Sequence, residues 1–208
     1  DILQRLDLDS NLLRGQTYDG GANMDGAFNG CQAVMRRTNP LAMHFRCAAH
    51  TTHLVAQYAV DADRLIQESL QWVQELGKLY KRSTKFNNVF QSISLEDNDV
   101  HVPTTAIKPL CPTRWLSRHA SVLSVVNQYE VVLKALYEMS RTSSSDTAVK
   151  AGALYDKFGA GLTLLGLRIA LSVTGPLHEL NRTLQARSQT ISGMLQSVNT
   201  VKESLCGM

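Results

Sequence analysis

Apolar residues follow two different spacings along the chain, and the change falls near Val60. Before it, short extended runs near Thr17 and over Met43–Cys47 alternate with stretches of helical spacing, one from about Asn23 and one over Ala48–Val60. Strand, helix, strand and helix in this order predict a parallel pair of strands with a right-handed crossover. Two strands do not make a stable sheet alone, so we expect further strands upstream or in a partner.

Two details of this first region can be predicted from single residues. Asn39-Pro40 should end the first helix, because the residue before a proline is disfavoured in helical geometry. In the second helix, Leu54, Val55 and Tyr58 are expected to face the sheet. A short helix end and a turn are expected over residues 1–13.

From Val60 onward the pattern is helical throughout. Spacings of three, four or six predict one or two amphipathic helices over 61–93 and a further helix over 115–141. The polar stretch Ser94–Lys108 predicts a surface loop, and the serines of 142–146 predict a flexible connection.

The last third of the chain is expected to form two helices. A helix or broken helix should cover 147–173. Gly175-Pro176 should end it and begin the next helix, because proline is tolerated in the first turn of a helix. From Leu177 to Leu205, apolar residues then repeat in alternating steps of three and four, interrupted at Arg187. Packing within one bundle explains this repeat, and self-association through the same seam is the alternative.

Composition is typical of a globular protein and identifies no partner. Of the 208 residues, 44% are hydrophobic and 19% are charged, and the net charge of +3 is too small to indicate nucleic-acid binding by itself. The four cysteines form no CxxC pair, which suits a reducing compartment better than a disulfide framework. The apolar run Phe158–Val173 is shorter than the ~20 residues that a membrane helix needs, so we predict a buried helix and no membrane span.

Three groups of residues could carry chemistry, and the first is centred on Asp19. The segment Gly15–Met24 reads as strand, tight turn and helix start, with Asp19 at the exit of the strand. Carboxylates at the carboxyl ends of strands lie where ligands and metals gather in α/β sheets. The alternative is that Asp19 only caps the turn or the following helix.

Cys47, His50 and His53 form the second group, since spacings of three place them along one face of a helix. A thiolate and imidazoles can bind zinc, but zinc needs about four ligands, and Cys111 or His44 would have to complete the set.

Arg114 and Trp115 form the third group, at the start of a predicted helix. An arginine next to an indole can hold a phosphate beside a stacked unpaired base, and the alternative is a core tryptophan covered by arginine. A basic stripe, predicted to lie within one helix, could also touch phosphates or simply be solvated surface; its members are Lys78, Lys81, Arg82 and Lys85.

Three blocks of sequence, in order, resemble the core of hAT-superfamily transposases. The blocks are GQTYDGGANMDGAFNGCQA from Gly15, NPLAMHFRCAAHTTHLV from Asn39 and CPTRW from Cys111. They are most similar to the transposase-derived domain of the zinc finger MYM-type proteins. The resemblance implies a mostly helical chain with two parts, a partial RNase H-like α/β core over 1–60 and an all-helical insertion domain over 61–208.

In such a nuclease core, the resemblance makes Asp19 the second acid of a DDE triad that holds two Mg²⁺ ions, with Asn23, Cys47 and His50 at the border of the active site. The role of His53 stays open. The resemblance implies that the other two acids lie before Asp1 and after Met208. The chain starts without methionine, and we expect it to be a fragment. One carboxylate cannot hold two metals, so we expect no strand transfer from this fragment.

The same resemblance gives Arg114 and Trp115 a role beside a flipped DNA base. It implies a nuclear, domesticated hAT-type transposase that binds DNA or chromatin proteins. Two alternatives remain: an active Mg²⁺-dependent transposase, and a protein-interaction scaffold that uses the helical bundle for docking or self-association.

Overall fold

The structure is a computed structural model that describes residues 2–96, 106–107, 109–111, 115–142 and 145–207. The chain divides into two compact units, Asp1–Leu54 and Val55–Met208. The described residues are mostly helical, as predicted, and their strands form a single two-stranded sheet. Two strands do not define an RNase H-like fold, so that assignment and its boundary at residue 60 stay predictions.

The first unit contains the predicted parallel pair of strands. The strands pair in register from Gly15 opposite Met43 to Tyr18 opposite Arg46, which confirms the parallel prediction. In chain order, the elements are α1 (Ile2–Arg5), a 3₁₀ turn (Ser10–Leu12), β1 (Gly15–Tyr18), α2 (Ala22–Asp25), α3 (Cys31–Thr38), β2 (Met43–Arg46) and α4 (Ala48–Asp61), which continues into the second unit.

Buried amides hold the first unit together. The Gln16 side chain donates from β1 to the carbonyl oxygens of Gln32 at 3.2 Å and Ala42 at 2.9 Å. Asn39, which ends α3 in an extended conformation as predicted, donates to three carbonyls of the 10–13 turn at 2.8 to 3.2 Å. These bonds cross-link segments that are distant in sequence, so polar contacts fix this unit where large apolar side chains do not.

Many apolar side chains of this part of the chain are exposed. Met43 and Phe45, which share one face of β2, are 58% and 52% exposed. The prediction that Leu54, Val55 and Tyr58 face the sheet is wrong, since they are 38%, 46% and 74% exposed. The larger residues pointed to the wrong stripe of α4, because its buried positions include the small Ala56 and Val60 four residues later.

The second unit is a bundle of helices. Two helices occupy the stretch 61–93, for which one or two were predicted. The single helix predicted over 115–141 is instead two helices, separated at Gln128. The predicted loop Ser94–Lys108 begins inside a helix, and most of it lies outside the described residues, as do residues 143–144 of the predicted connection. The helices are α5 (Arg64–Arg82), α6 (Thr84–Glu96), α7 (Trp115–Asn127), α8 (Tyr129–Arg141), α9 (Asp146–Gly159), α10 (Leu162–Leu184) and α11 (Ile191–Cys206).

A single large apolar cluster forms the core of this bundle. The ring of Tyr80 meets those of Phe86 and Phe90 edge-on, with centroids 6.5 Å and 5.5 Å apart. The largest fully buried side chains are Phe86, Phe90, Phe158, Leu76, Leu136, Met139 and Leu167. Together these side chains bury the apolar stripes of α5 to α10 that the helical spacing predicted.

The boundary between the last two helices does not fall where the sequence predicts. Pro176 lies inside α10, so the predicted stop at Gly175-Pro176 is wrong. A proline inside a helix costs about 3 kcal/mol, and burial of Leu167, Leu177 and Leu180 on both sides of it offsets that cost. The repeat predicted over 177–205 is instead divided between α10 and α11 at residues 185–190.

Part of this repeat packs within the bundle as predicted, because Val201 and Leu205 of α11 contact the cluster of Ala56 and Leu177, whereas Ile191 and Val198 are 80% and 42% exposed. The apolar run 158–173 is broken at Gly161, whose φ of +72° lies in the left-handed region that favours glycine. Within the described residues, no single helix has the length and apolar composition to cross a membrane, and α9 with α10 qualify only as a pair bent by 69°.

Candidate functional site

The carboxyl ends of the two parallel strands form the centre of the candidate site. The backbone N–H of Cys47 donates to the carbonyl of Tyr18 at 2.9 Å, which extends the pairing one residue beyond β2. Asp19 follows β1 directly and Cys47 follows β2 directly. Because both strands point the same way, the Asp19 turn and the start of α4 lie at the same edge of the sheet.

Asp19 and Asn23 converge on the glycine between them. The Asp19 carboxylate accepts a hydrogen bond from the N–H of Gly21 at 3.3 Å, so it does close the turn. A Cβ atom on Gly21 would lie 2.9 Å from Asn23 Oδ1 and 3.2 Å from Asp19 Oδ1. Both oxygens therefore lie close to the Gly21 backbone, and the exposed Asp19 carboxylate remains open to solvent.

His50 reaches the same turn from α4. A Cβ atom on Gly20 would lie 3.5 Å from His50 Nε2, and the imidazole is half-buried. Asp19, Asn23 and His50 thus surround the Gly20-Gly21 turn, with Cys47 at the neighbouring strand end. A carboxylate, an amide and an imidazole in this arrangement can bind a cation or orient a phosphate, because they combine hydrogen-bond acceptors and donors.

Metal binding has limited support. In the part of the chain that the structure describes, no three or more His, Cys, Asp or Glu side chains are grouped to hold a metal ion. The zinc alternative for Cys47, His50 and His53 therefore has no geometric support. Asp19 as a metal ligand stays a prediction, because one carboxylate needs ligands from elsewhere to hold Mg²⁺.

A polar cluster that sequence reasoning missed covers the helical face of the sheet. Asp25 pairs with Arg46 at 3.0 Å and with His44 Nε2 at 3.3 Å. The rings of His44 and Tyr18 stack with centroids 6.0 Å apart, and the Cys31 thiol donates to the Tyr18 hydroxyl at 3.4 Å. That hydrogen bond and partial burial raise the pKa of Tyr18. The alternation of side chains along two paired strands was the available signal, because it places Tyr18 and His44 on one face.

The proposed nucleic-acid residues are only partly described. Arg114 lies outside the described residues, and Trp115 is the first residue of α7, where its backbone alone is described. One turn later, Arg118 Nε donates to the carbonyl of Cys111 at 2.8 Å, and burial lowers the pKa of the Arg118 guanidinium. The bond ties Cys111 to the first turns of α7.

A histidine pair between α7 and α10 also went unpredicted. The rings of His119 and His178 stack with centroids 5.1 Å apart, and His119 Nδ1 lies 3.1 Å from the Thr174 hydroxyl. Burial, followed by the proximity of His178, lowers the pKa of His119. No single-sequence signal links these residues, because 55 or more positions separate them.

The prediction that the basic stripe lies within one helix is wrong. Lys78, Lys81 and Arg82 belong to α5, but Lys85 belongs to α6, beyond the break at Ser83. Ser83 caps the start of α6 by accepting a hydrogen bond from the N–H of Phe86 at 3.1 Å. A new helix therefore begins after Ser83, and α5 ends at Arg82, before Lys85.

No protein-family model matches the chain, and no solved structure matches it at a significant level. The family relation therefore rests on the three sequence blocks, two of which meet at the edge of the sheet. It stays a prediction.

Proposed function

We propose that the chain is part of a domesticated hAT-type transposase of the zinc finger MYM-type group, which binds DNA or chromatin in the nucleus without strand-transfer activity. The observation that carries the proposal is the common sheet edge of Asp19 and the Cys47–His50 segment. These residues come from two separate blocks of the resemblance, and chance similarity gives no reason for them to meet.

The open sheet supports a larger α/β core. Met43 and Phe45 present an uncovered apolar face, and two strands are too few for independent stability. Further strands or helices, in the same polypeptide or in a partner, would cover that face. An RNase H-like core would supply such elements.

The surroundings of Asp19 argue against strand transfer by these residues alone. Two Mg²⁺ ions need several carboxylates, since the ions repel each other and prefer oxygen ligands. The next acid in the chain, Asp25, is engaged by Arg46 and His44 and is therefore a poor second ligand.

DNA binding is tested through Trp115, because base stacking does not depend on catalysis. The Trp115→Ala variant should bind a DNA hairpin with one unpaired base about tenfold more weakly, since stacking is worth ~1–3 kcal/mol per base. Tyr58→Ala, which removes a 74% exposed aromatic ring of α4, is the matched control and should bind as the unchanged protein does. Equal binding of hairpin and full duplex by the unchanged protein and by Trp115→Ala would refute the stacking role.

The absence of strand transfer is tested by a DNA-cleavage assay with Mg²⁺ on the full-length protein. We expect no Mg²⁺-dependent cleavage by the unchanged protein, by Asp19→Ala or by Asp156→Ala, which removes an exposed acid of α9. Cleavage that disappears in Asp19→Ala and persists in Asp156→Ala would establish an active Mg²⁺-dependent transposase in place of a domesticated one.

A further inference from the structure

The second unit contains a cavity of about 290 Å³ between α5 and α9. Its apolar part is formed by Trp72, Leu79, Ala153 and Leu154. Leu79 and Leu154 are 8% and 6% exposed and belong to the core of the bundle, while Trp72 is half-buried beside it. The floor of the cavity is therefore apolar, and its volume is just below the ~300–1,000 Å³ of drug-sized ligand pockets.

The rim of this cavity carries three basic side chains and two carboxylates. Lys78, Arg82 and Lys150 line it, and Lys157 Nζ lies 5.3 Å from the centroid of the Trp72 ring. Lys78 is paired with Glu75 at 2.7 Å. Within the described part of the chain, neither Arg82 nor Lys150 has a carboxylate partner, so both cations are available to a ligand.

Two carboxylates at the rim restrict what the ligand can be. Glu75 and Asp146 line the cavity together with the cations. A nucleic acid carries a phosphate on every nucleotide, so its backbone would bring negative charge against both of these acids. A peptide can instead place its carboxylates only where Arg82 and Lys150 lie, and put an apolar side chain in the cavity.

We propose that this α5–α9 cavity binds an acidic segment of a partner protein, which inserts one apolar side chain against Trp72 and pairs its carboxylates with Arg82 and Lys150. Charge complementarity selects the acidic segment, and the volume suits one large side chain. The site shares Lys78 and Arg82 with the basic stripe, but it contains neither Arg114 nor Trp115 and does not depend on their role in DNA binding.

The experiment measures fluorescence anisotropy of labelled acidic peptides that share one frame and differ only at a central residue, which is Leu, Phe, Met or Ser. A single-stranded oligonucleotide of similar net charge is the competing probe. The charge-reversed variant Arg82→Glu is compared with Lys202→Glu, which makes the same charge change at an exposed position of α11. Ala153→Phe fills the cavity without altering any charge, and circular dichroism checks that each variant folds.

The apolar peptides should bind at least about tenfold more tightly than the Ser peptide, and Ala153→Phe should remove that difference. Arg82→Glu should weaken their binding about tenfold or more, while Lys202→Glu should change it less than about twofold. Equal losses in the two charge variants would show an effect of net charge alone and overturn the proposal. It also fails if no peptide binds below roughly 1 mM, or if only the oligonucleotide binds.

Discussion

The contact between α5 and α10 at Gly166 gives the sharpest prediction about the bundle. A Cβ atom on Gly166 would lie 2.2 Å from Ser69 Oγ, 2.9 Å from the carbonyl oxygen of Leu65 and 3.0 Å from Ser69 Cβ. Ser69 is 1% exposed, and its hydroxyl donates to that same carbonyl at 2.7 Å. The hydroxyl could rotate away, but the backbone carbonyl could not, so Gly166→Ala forces the two helices apart.

The expected magnitude follows from three contributions. Replacing a glycine in the interior of a helix by alanine gains about 0.5–1 kcal/mol of stability. Overpacking of a closely packed interface costs about 1–3 kcal/mol, and displacing the Ser69 hydroxyl costs about 1 kcal/mol more. Gly166→Ala should therefore lower the free energy of unfolding by about 1–3 kcal/mol.

Urea unfolding followed by circular dichroism measures this difference, and Gly152→Ala is the matched control. Gly152 lies inside α9, where an added Cβ would meet only Ser140 Cβ at an ordinary 3.6 Å. Gly152→Ala should raise the free energy of unfolding by about 0.5–1 kcal/mol, because no clash opposes the gain in helix propensity. In the double variant Gly166→Ala/Ser69→Ala, part of the loss should be recovered. If Gly166→Ala proves as stable as Gly152→Ala, the close approach of α5 and α10 is wrong.

Three further predictions test other parts of the chain. Asn39→Ala should increase hydrogen exchange and proteolysis of residues 1–54 while leaving the bundle protected, since each lost buried bond costs ~1–3 kcal/mol. Tyr129→Phe should cost about 1 kcal/mol in urea unfolding, because it removes the 2.8 Å bond to the Phe158 carbonyl, and spectrophotometric titration should show a Tyr129 pKa of about 12. Burial lowers the pKa of His119, so the unfolded chain takes up a proton at higher pH than the folded one. Stability should therefore fall as pH drops below about 6.5, and His119→Gln should reduce that slope when unfolding is measured between about pH 7.5 and pH 5.5.

The local signals in the sequence predicted both strands and the helical regions, but they missed breaks within those regions. The helix predicted from about Asn23 is α2 and α3, separated at residues 26–30, and the helix predicted over 115–141 is α7 and α8. The chain turns at Gly20-Gly21 and at Asn39-Pro40, as predicted. These turns could be predicted because the backbone conformation of such residues depends little on distant contacts. Pro176 failed as a stop signal for the opposite reason. Buried contacts of Leu177 and Leu180 fix the course of α10 there, and no local pattern measures how much such contacts contribute.

The candidate site shows the same division between local and distant effects. Asp19 could be placed at a strand exit from its neighbours alone, whereas its grouping with His50 was implied only by the family resemblance. The Asp25–His44–Arg46 cluster required the register of the two strands, which local spacing does not give. The α5–α9 cavity required knowledge of which two helices are neighbours.

The two units are stabilised internally by different kinds of contact, and the candidate site lies in the unit with the smaller apolar core. The bundle buries large aromatic and aliphatic side chains, whereas the first unit buries the amides of Gln16 and Asn39 and exposes Phe45. The Asp19 turn, however, is fixed by the Gly21 hydrogen bond and by the strand pairing next to it. The geometry of the Asp19 turn therefore does not depend on further elements packed over the sheet. Metal binding, in contrast, needs more carboxylates than the described residues bring to this turn. A metal bound at this turn would therefore take its remaining ligands from outside the described residues.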